Sequence, residues 1–250
     1  MRLAPVCWVG SSFALTLPLP SPMQHVLDNP IWNALCTGSA HLAVGNEQAR
    51  YVQKEAGAFA GLREYSASAF ADLHDLTPAG TATVLFTAGE VAIPDNWKIL
   101  VQKDLLQLVY EHPTPPALDS TDVVPLQQPH ISAMIALTAQ TNPGPFLQRT
   151  IEFGEYHGIF EGNELVAMAG ERLQPTPYTE LSAVCTHPAH LGKGYAARLL
   201  QHQMHRILAA GRVPFLHVLP ENTRARAVYE RLGFQTRRQL QIYVLEKLVG

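Results

Sequence analysis

Charge is scarce in this sequence. Lys and Arg number 18 and Asp and Glu 21, together 16% of 250 residues, against an ordinary share near ~25%. The net charge of −3 leaves no basic surplus, so a general nucleic-acid binder is excluded. With 47% hydrophobic residues, disorder driven by polarity is excluded for most of the chain. Cysteine is also scarce. Cys7, Cys36 and Cys185 lie far apart and form no CxxC, so neither a disulfide framework nor a zinc site is indicated. No metal is expected, and a reduced, cytoplasmic setting fits. No unbroken apolar run reaches the ~20 residues that span a bilayer, because Pro5, Pro18 and Pro20 interrupt the mildly apolar opening. Arg2 before a short apolar stretch leaves a signal peptide conceivable. The expectation is a disordered leader over residues 1–22, with structure from about His25.

Proline marks the next division. Residues 111–122 contain Pro113, Pro115 and Pro116, which fix φ and remove backbone donors. They read as a linker between an N-terminal α/β domain, 23–110, and a second domain, 123–250. In the first, Asp28-Asn29-Pro30 opens a short helix carrying Ile31, Trp32 and Leu35. Ser66 or Ser68 caps another, with Phe70, Leu73 and Leu76 at helical spacing. Thr81–Phe86 and Trp97–Tyr110 read as strands. This half carries no concentrated catalytic signature.

The second half is more regular. Strands are expected over Val123–Gln127, Tyr156–Glu161, Glu164–Leu173, Tyr178–Thr186, Pro214–Leu219 and Leu240–Leu248. Gly162-Asn163 turns the second of these into the third. Helices are expected over His130–Thr141, Gly192–Ala210 and Asn222–Leu232, with a short one over Phe146–Phe153. The strongest has Ala196, Leu199, Leu200, Ile207 and Leu208 in one 3.6-period stripe. This alternation argues an α/β domain.

The chemistry is concentrated in Glu180–Ala196, ELSAVCTHPAHLGKGYA. A strand ends at His187-Pro188, and Leu191-Gly192-Lys193-Gly194-Tyr195-Ala196 opens the long helix. Two glycines let the backbone turn tightly and aim several N–H groups at one point. The positive end of the helix dipole points the same way, which makes a main-chain pyrophosphate site. The alternative is a packing turn. Neither GxGxxG nor GxxxxGK[ST] is present, so dinucleotide and P-loop readings do not apply.

This segment resembles the acyl-CoA-binding motif of the GNAT superfamily of N-acyltransferases, whose pattern is Arg/Gln-x-x-Gly-x-Gly/Ala. A second segment, Asn222-Thr-Arg-Ala-Arg-Ala-Val-Tyr229-Glu-Arg-Leu-Gly233-Phe234, is similar to the family's N-x-x-A-x-x-x-Y-x-x-x-GF element. The resemblance covers about Val123–Leu248. It implies a mixed, mostly antiparallel sheet flanked by helices, with the N-terminal half as a smaller α/β domain, as in members that carry an extra domain or a degenerate second copy. It also implies acetyl-CoA as co-substrate and an acceptor amine on a small molecule or peptide. The amine attacks the thioester directly, with no acyl-enzyme.

Carried over position by position, Val184, Cys185 and Thr186 splay from their neighbour and pair with the pantetheine arm. Leu191, Gly192, Lys193, Gly194, Tyr195 and Ala196 hold the pyrophosphate. Asn222 bonds the arm or the adjacent loop. Tyr229 donates a proton to the leaving thiolate, and Glu180 is the general base. A carboxylate in a partly apolar strand can have a raised pKa suited to that task. Leu191 departs from the pattern's Arg or Gln and removes one side-chain contact to phosphate. The bland readings are a solvated Glu180, a core Tyr229, a helix-capping Asn222 and a buried apolar Cys185. His187, His190, His202 and His205 read as surface histidines. The acceptor is expected between the Asn142–Phe146 loop, the first half and the C-terminal strands. The other function class is a catalytically silent acyl-CoA-binding or protein-interaction module.

Overall fold

The computed structural model describes residues 25–112, 114–115, 117 and 122–248. The expected leader over 1–22 lies outside the described residues, as do Pro113 and Pro116 of the expected linker.

Near the start of the described chain, α1 (Pro30–Cys36) begins at a proline, whose missing N–H costs nothing in a first turn. Asn29 precedes it but does not cap it with its side chain. Its Nδ2 instead donates to Leu62 O at 2.7 Å. That bond ties α1 to a three-stranded antiparallel sheet of β1 (Ala43–Gly45), β2 (Ala49–Val52) and β3 (Ala60–Leu62). These strands are too short to carry a readable alternation. The next helix, α2 (Ala67–Leu76), is capped by Ser66, whose side chain accepts from Ala69 N.

β4 (Ala82–Thr87) and β5 (Trp97–Val109) follow. Beyond the Pro-rich stretch come β6 (Val124–Leu126), α3 (Ile131–Thr141), β7 (Tyr156–Glu161), β8 (Glu164–Glu171), β9 (Tyr178–Thr186), α4 (Tyr195–Ala209), β10 (Val213–Val218), α5 (Thr223–Arg231) and β11 (Gln235–Lys247). A 3-10 turn, Thr150–Phe153, stands where the sequence suggested a short helix.

The large sheet has the order β4-β11-β5-β10-β9-β8-β7-β6. Its pairs are antiparallel except β9 with β10. β4 and β5, which precede the Pro-rich stretch, therefore share one sheet with the strands that follow it. β5 lies between β10 and β11, antiparallel to both. The stretch expected as a boundary at 111–122 thus does not separate one sheet from another: the eight-stranded sheet takes strands from both sides of it, and among the described residues β1–β3 form a separate, smaller sheet.

One sheet face packs against α4 and α5 through Leu200, Met204, Ile207, Leu216 and Phe234. Burial of side chains of this size contributes ~1.5–3 kcal/mol each. The opposite face is covered by α1 and the N-terminal segment, with Leu27, Ile31 and Leu35 on Phe86, Phe215 and Leu240. On that face α3 adds Met134 and Leu137 over Tyr156 and Met168. Among the described residues, no helix is long and apolar enough to cross a membrane.

Candidate active site

The site is a fork between two parallel strands. β9 and β10 pair only from Val213–Tyr178 to Phe215–Glu180. Beyond that the strands part, and from Leu181 to Thr186 the β9 edge facing β10 has no strand partner. Its other edge stays on β8, with one irregularity. Register shifts between Met168 and Gly170, and the extra residue region contains Ala183 at φ 52. A bulge of this kind bends a strand and turns its groups away from the ladder. Val184 then packs toward α4 and α5, while Cys185 packs toward α3. Burial pushes the Cys185 thiol up to about 11, so it is a small apolar filler and not a nucleophile.

At the open end of the fork, the chain turns through Gly192 at φ +83 and Gly194 at φ +80. Only glycine adopts this conformation cheaply. A side chain at either position would meet nothing within 4 Å, so the space above the turn is open. Gly194 precedes α4 with no side-chain cap. The N–H groups of Gly192 to Ala197 find no backbone acceptor among the described residues. A run of free donors at a helix start is an anion cradle. Thr186 adds an orphan: its Oγ1 is buried without a hydrogen-bond partner in the protein. These features fit an extended ligand that carries an anionic group, laid along β9.

Two residues of the cradle are engaged elsewhere. Lys193 Nζ donates to Glu161 Oε1 at 2.9 Å and lies 3.2 Å from His190 Nδ1. Tyr195 is buried and its hydroxyl donates to the same Glu161. The Tyr195 side chain is therefore an anchor of the helix start, and its contribution to the cradle is its backbone N–H. Leu191 is exposed beside the cradle.

Across the fork, Asn222 caps α5, accepting from Ala225 N at 3.2 Å. Two turns on, Tyr229 packs with Leu181, Val218 and Val184 of the two fork strands. It is 9% exposed, and burial pushes its phenol up to about 12. Its hydroxyl has no hydrogen-bond partner among the described residues. A buried phenol that keeps its proton and has no acceptor of its own is free to donate to a group entering the fork.

Glu180 corrects the sequence reading. It is fully buried, and its carboxylate is saturated. Arg172 donates through Nε to Oε2 at 2.9 Å and through Nη2 to Oε1 at 2.6 Å. Leu173 N donates at 3.3 Å and His217 Nδ1 lies at 2.6 Å. Burial by itself would raise the pKa, but the Arg172 charge and the His217 contact outweigh it and hold the carboxyl down to about 2. A raised pKa for Glu180 is therefore overturned, as is the solvated alternative. All four of its lone-pair positions are in use, so no position is left for the proton of an amine. Arg172, His217 and Gln107, which bonds His217, went unnoticed in the sequence. The available signal was a polar residue inside an apolar strand: Gln107 in LLQLVY and His217 in PFLHVL.

A cavity of about 510 Å³ lies between α3 and the tip of the β7–β8 hairpin, bounded by Gln140, Glu161, Glu164 and His187. It sits beside the cradle rather than at the Asn142–Phe146 loop, where the acceptor was expected. Among the described residues, no three His, Cys, Asp or Glu side chains converge on a metal position.

Comparison with known proteins supplies the context. Residues 156–243 match the family model of FR47-like proteins. A crystal structure from Novosphingobium aromaticivorans, assigned by name to the acetyltransferases of the GNAT family, is 32% identical, with 90% of this chain and 100% of that chain covered and a TM-score of 0.84. A GCN5-related N-acetyltransferase from Kribbella flavida is 16% identical over 88% of this chain and 95% of that one, with a TM-score of 0.61, a likeness of fold. No curated protein matches the chain.

Proposed function

The chain belongs to the GNAT family, and from that premise we propose that it is an acyl-CoA-dependent N-acyltransferase, using acetyl-CoA and a primary amine of a small molecule or peptide. The observation that carries this reading is the fork itself. An unpaired strand edge leads to a run of free N–H donors, with an unpartnered phenol facing in from α5.

In this reading acyl-CoA supplies an activated acyl group. Gly192, Lys193, Gly194, Tyr195 and Ala196 hold its pyrophosphate through the main chain. The edge of Val184, Cys185 and Thr186 holds its arm, and Asn222 contacts the arm from the start of α5. The amine nitrogen attacks the thioester carbonyl, a C–N bond forms and the C–S bond breaks. Tyr229 gives its hydroxyl proton to the departing sulfur and regains one from water, which takes up the proton that the amine loses. Backbone N–H groups by the β9 bulge support the negative oxygen that forms at the carbonyl. Leu191 contributes no phosphate contact, so binding rests on the backbone. A cytoplasmic location completes the reading.

The test is thermal unfolding with and without acetyl-CoA, followed by an amine screen read by thiol release. Ligand at ~100-fold over Kd stabilises a native state by ~2.7 kcal/mol, which raises Tm by several degrees. A Tm that stays fixed in millimolar acetyl-CoA sinks the proposal. A shift without thiol release from any amine favours the silent binding module.

A further inference from the structure

Six side chains form a continuous belt across the face of the sheet opposite α4 and α5. Asp28, just ahead of α1, accepts from Arg237 Nη2 at 2.8 Å. Arg237 Nη1 donates to Gln107 Oε1 at 2.8 Å. Gln107 Nε2 lies 3.0 Å from His217 Nε2. His217 Nδ1 meets Glu180 at 2.6 Å, and Glu180 takes the paired bonds of Arg172. From Arg237 onward these residues stand on β11, β5, β10, β9 and just past the end of β8, five neighbouring strands. Arg237 reaches the belt because the β11–β5 register shifts between Thr236 and Arg238. That bulge re-aims the side chain.

The belt has one polarity. Arg237 only donates, so the Gln107 oxygen must face it and the Gln107 amide NH₂ must face His217. The same NH₂ also donates to Leu27 O at 2.9 Å. His217 Nε2 therefore accepts, and Nδ1 carries the hydrogen given to Glu180. Every group has its partner only in this tautomer.

The belt crosses the fork where the backbone ladder stops. The last β9–β10 pair is Glu180 with Phe215. The Glu180–His217 bond reaches two residues further along β10 and, among the described residues, is the last hydrogen bond between the two strands before they part. We propose that this belt is a positioning network that fixes the fork, with Glu180 and His217 as its ties. Asp28 and Gln107, which lie outside the cradle and away from Tyr229, thereby govern acyl-CoA affinity. The N-terminal segment is in this way part of the cofactor site without touching it. The inference rests on the acyltransferase reading.

The full chain labelled with ¹⁵N-histidine gives the first readout, with the His217 signals identified by their loss in His217→Asn. The wild type should show a neutral ring protonated at Nδ1. In Gln107→Glu the carboxylate no longer donates to Nε2, so the ring should hold protons on both nitrogens. Acetyl-CoA titration calorimetry gives the second. Gln107→Leu and the milder Asp28→Ala should weaken binding at least fivefold, with kcat at saturating acetyl-CoA within twofold of wild type. A wild-type ring protonated at Nε2 overturns the belt's polarity. Unchanged affinity in a folded Asp28→Ala, with wild-type binding intact, overturns its control of the fork. So does a Glu180→Gln variant that binds acetyl-CoA normally but loses the acid-side limb of its pH–rate profile, because that limb is the signature of a base. If the wild type itself binds no acetyl-CoA, the acyltransferase reading falls and the fork claim falls with it, while the ¹⁵N spectrum still decides the polarity.

Discussion

The two faces of the sheet bury polar groups in opposite states. On the face beneath the N-terminal segment, Glu180, His217 and Gln107 are almost wholly buried and each is bonded. On the face beneath α4 and α5, His157 Nδ1, His202 Nδ1 and Gln203 Oε1 are buried without hydrogen-bond partners among the described residues, and Tyr229 presents its hydroxyl toward the fork. A saturated group has no capacity left to exchange a proton, so it holds shape. An unsatisfied buried group carries a standing cost and is ready to accept or donate. The contrast assigns rigidity to the first face and reactivity to the second, and it runs against the habit of reading a strand carboxylate as the base.

The largest expected effect separates the faces by pH. His157 is 5% exposed. Burial, followed by the neighbouring His202 and the Arg206 charge, lowers its pKa from 6.5 to about 4. His202, at a ring separation of 4.4 Å, is lowered too. A depressed imidazole contributes stability above its unfolded value, and that stability is lost as pH falls toward the folded one. Urea unfolding should therefore lose about 3 kcal/mol between pH 6.5 and 4 from His157, at ~1.36 kcal/mol per unit. His157→Phe should flatten that limb. Glu180 is also depressed, from 4.5 to about 2, so the belt face weakens only as pH falls below 4.5. That lower limb should persist in His157→Phe. A single unfolding limb removed whole by His157→Phe would erase the distinction between the faces.

Next in size is the phenol. Tyr229→Phe should lower kcat by ~10²-fold while acetyl-CoA affinity stays within about twofold, as for a group that acts only in the transition state. Steady-state kinetics with separately measured binding decides it. Equal turnover would return Tyr229 to the core packing that its contacts with Phe234 and Leu181 also explain.

How much of this was legible differs between the same two faces. The α4–α5 side was readable because its signals are local. Helix periodicity, the Gly192 and Gly194 turn and the spacing from Asn222 to Tyr229 each lie within one continuous stretch. β9 falls where its apolar pattern put it, over Tyr178–Thr186. The belt side was not readable, because its links past the Arg172–Glu180 pair join residues 37 to 209 apart in sequence. Gln107 and His217 mark themselves only as polar residues in apolar runs, and nothing local names their partners. β11 starts at Gln235, earlier than the apolar pattern suggested, because RRQLQ is held as a strand by pairing with β5 and not by its own hydrophobicity. The insertion of β5 between β10 and β11 is likewise a property of topology alone.

The cradle offers a smaller test, of backbone geometry rather than side chains. Gly194→Val should weaken acetyl-CoA binding and lower stability by ~1–2 kcal/mol, the cost of a β-branched residue in the left-handed region. Space is not the obstacle, since a side chain there meets nothing within 4 Å. Calorimetry together with a melting curve separates the two effects. A variant that binds normally would mean that the free N–H groups do not hold the ligand.

The smallest expected effect is a gain. Leu191 is 44% exposed beside the cradle, where an apolar side chain gives phosphate nothing. Lys193, the nearest cation in the turn, is drawn to Glu161 at 2.9 Å, so it does not replace the missing contact without giving up that pair. Leu191→Arg adds a fork of donors suited to phosphate oxygens. One such bond in partly exposed surroundings is worth ~1 kcal/mol, or about fivefold in Kd. The gain should shrink as salt rises, because an exposed charge is screened. A tighter Kd at low salt that fades at high salt supports a phosphate at the start of α4. A Kd unmoved at every ionic strength places the anion elsewhere, and the open space above Gly192 and Gly194 then needs another explanation.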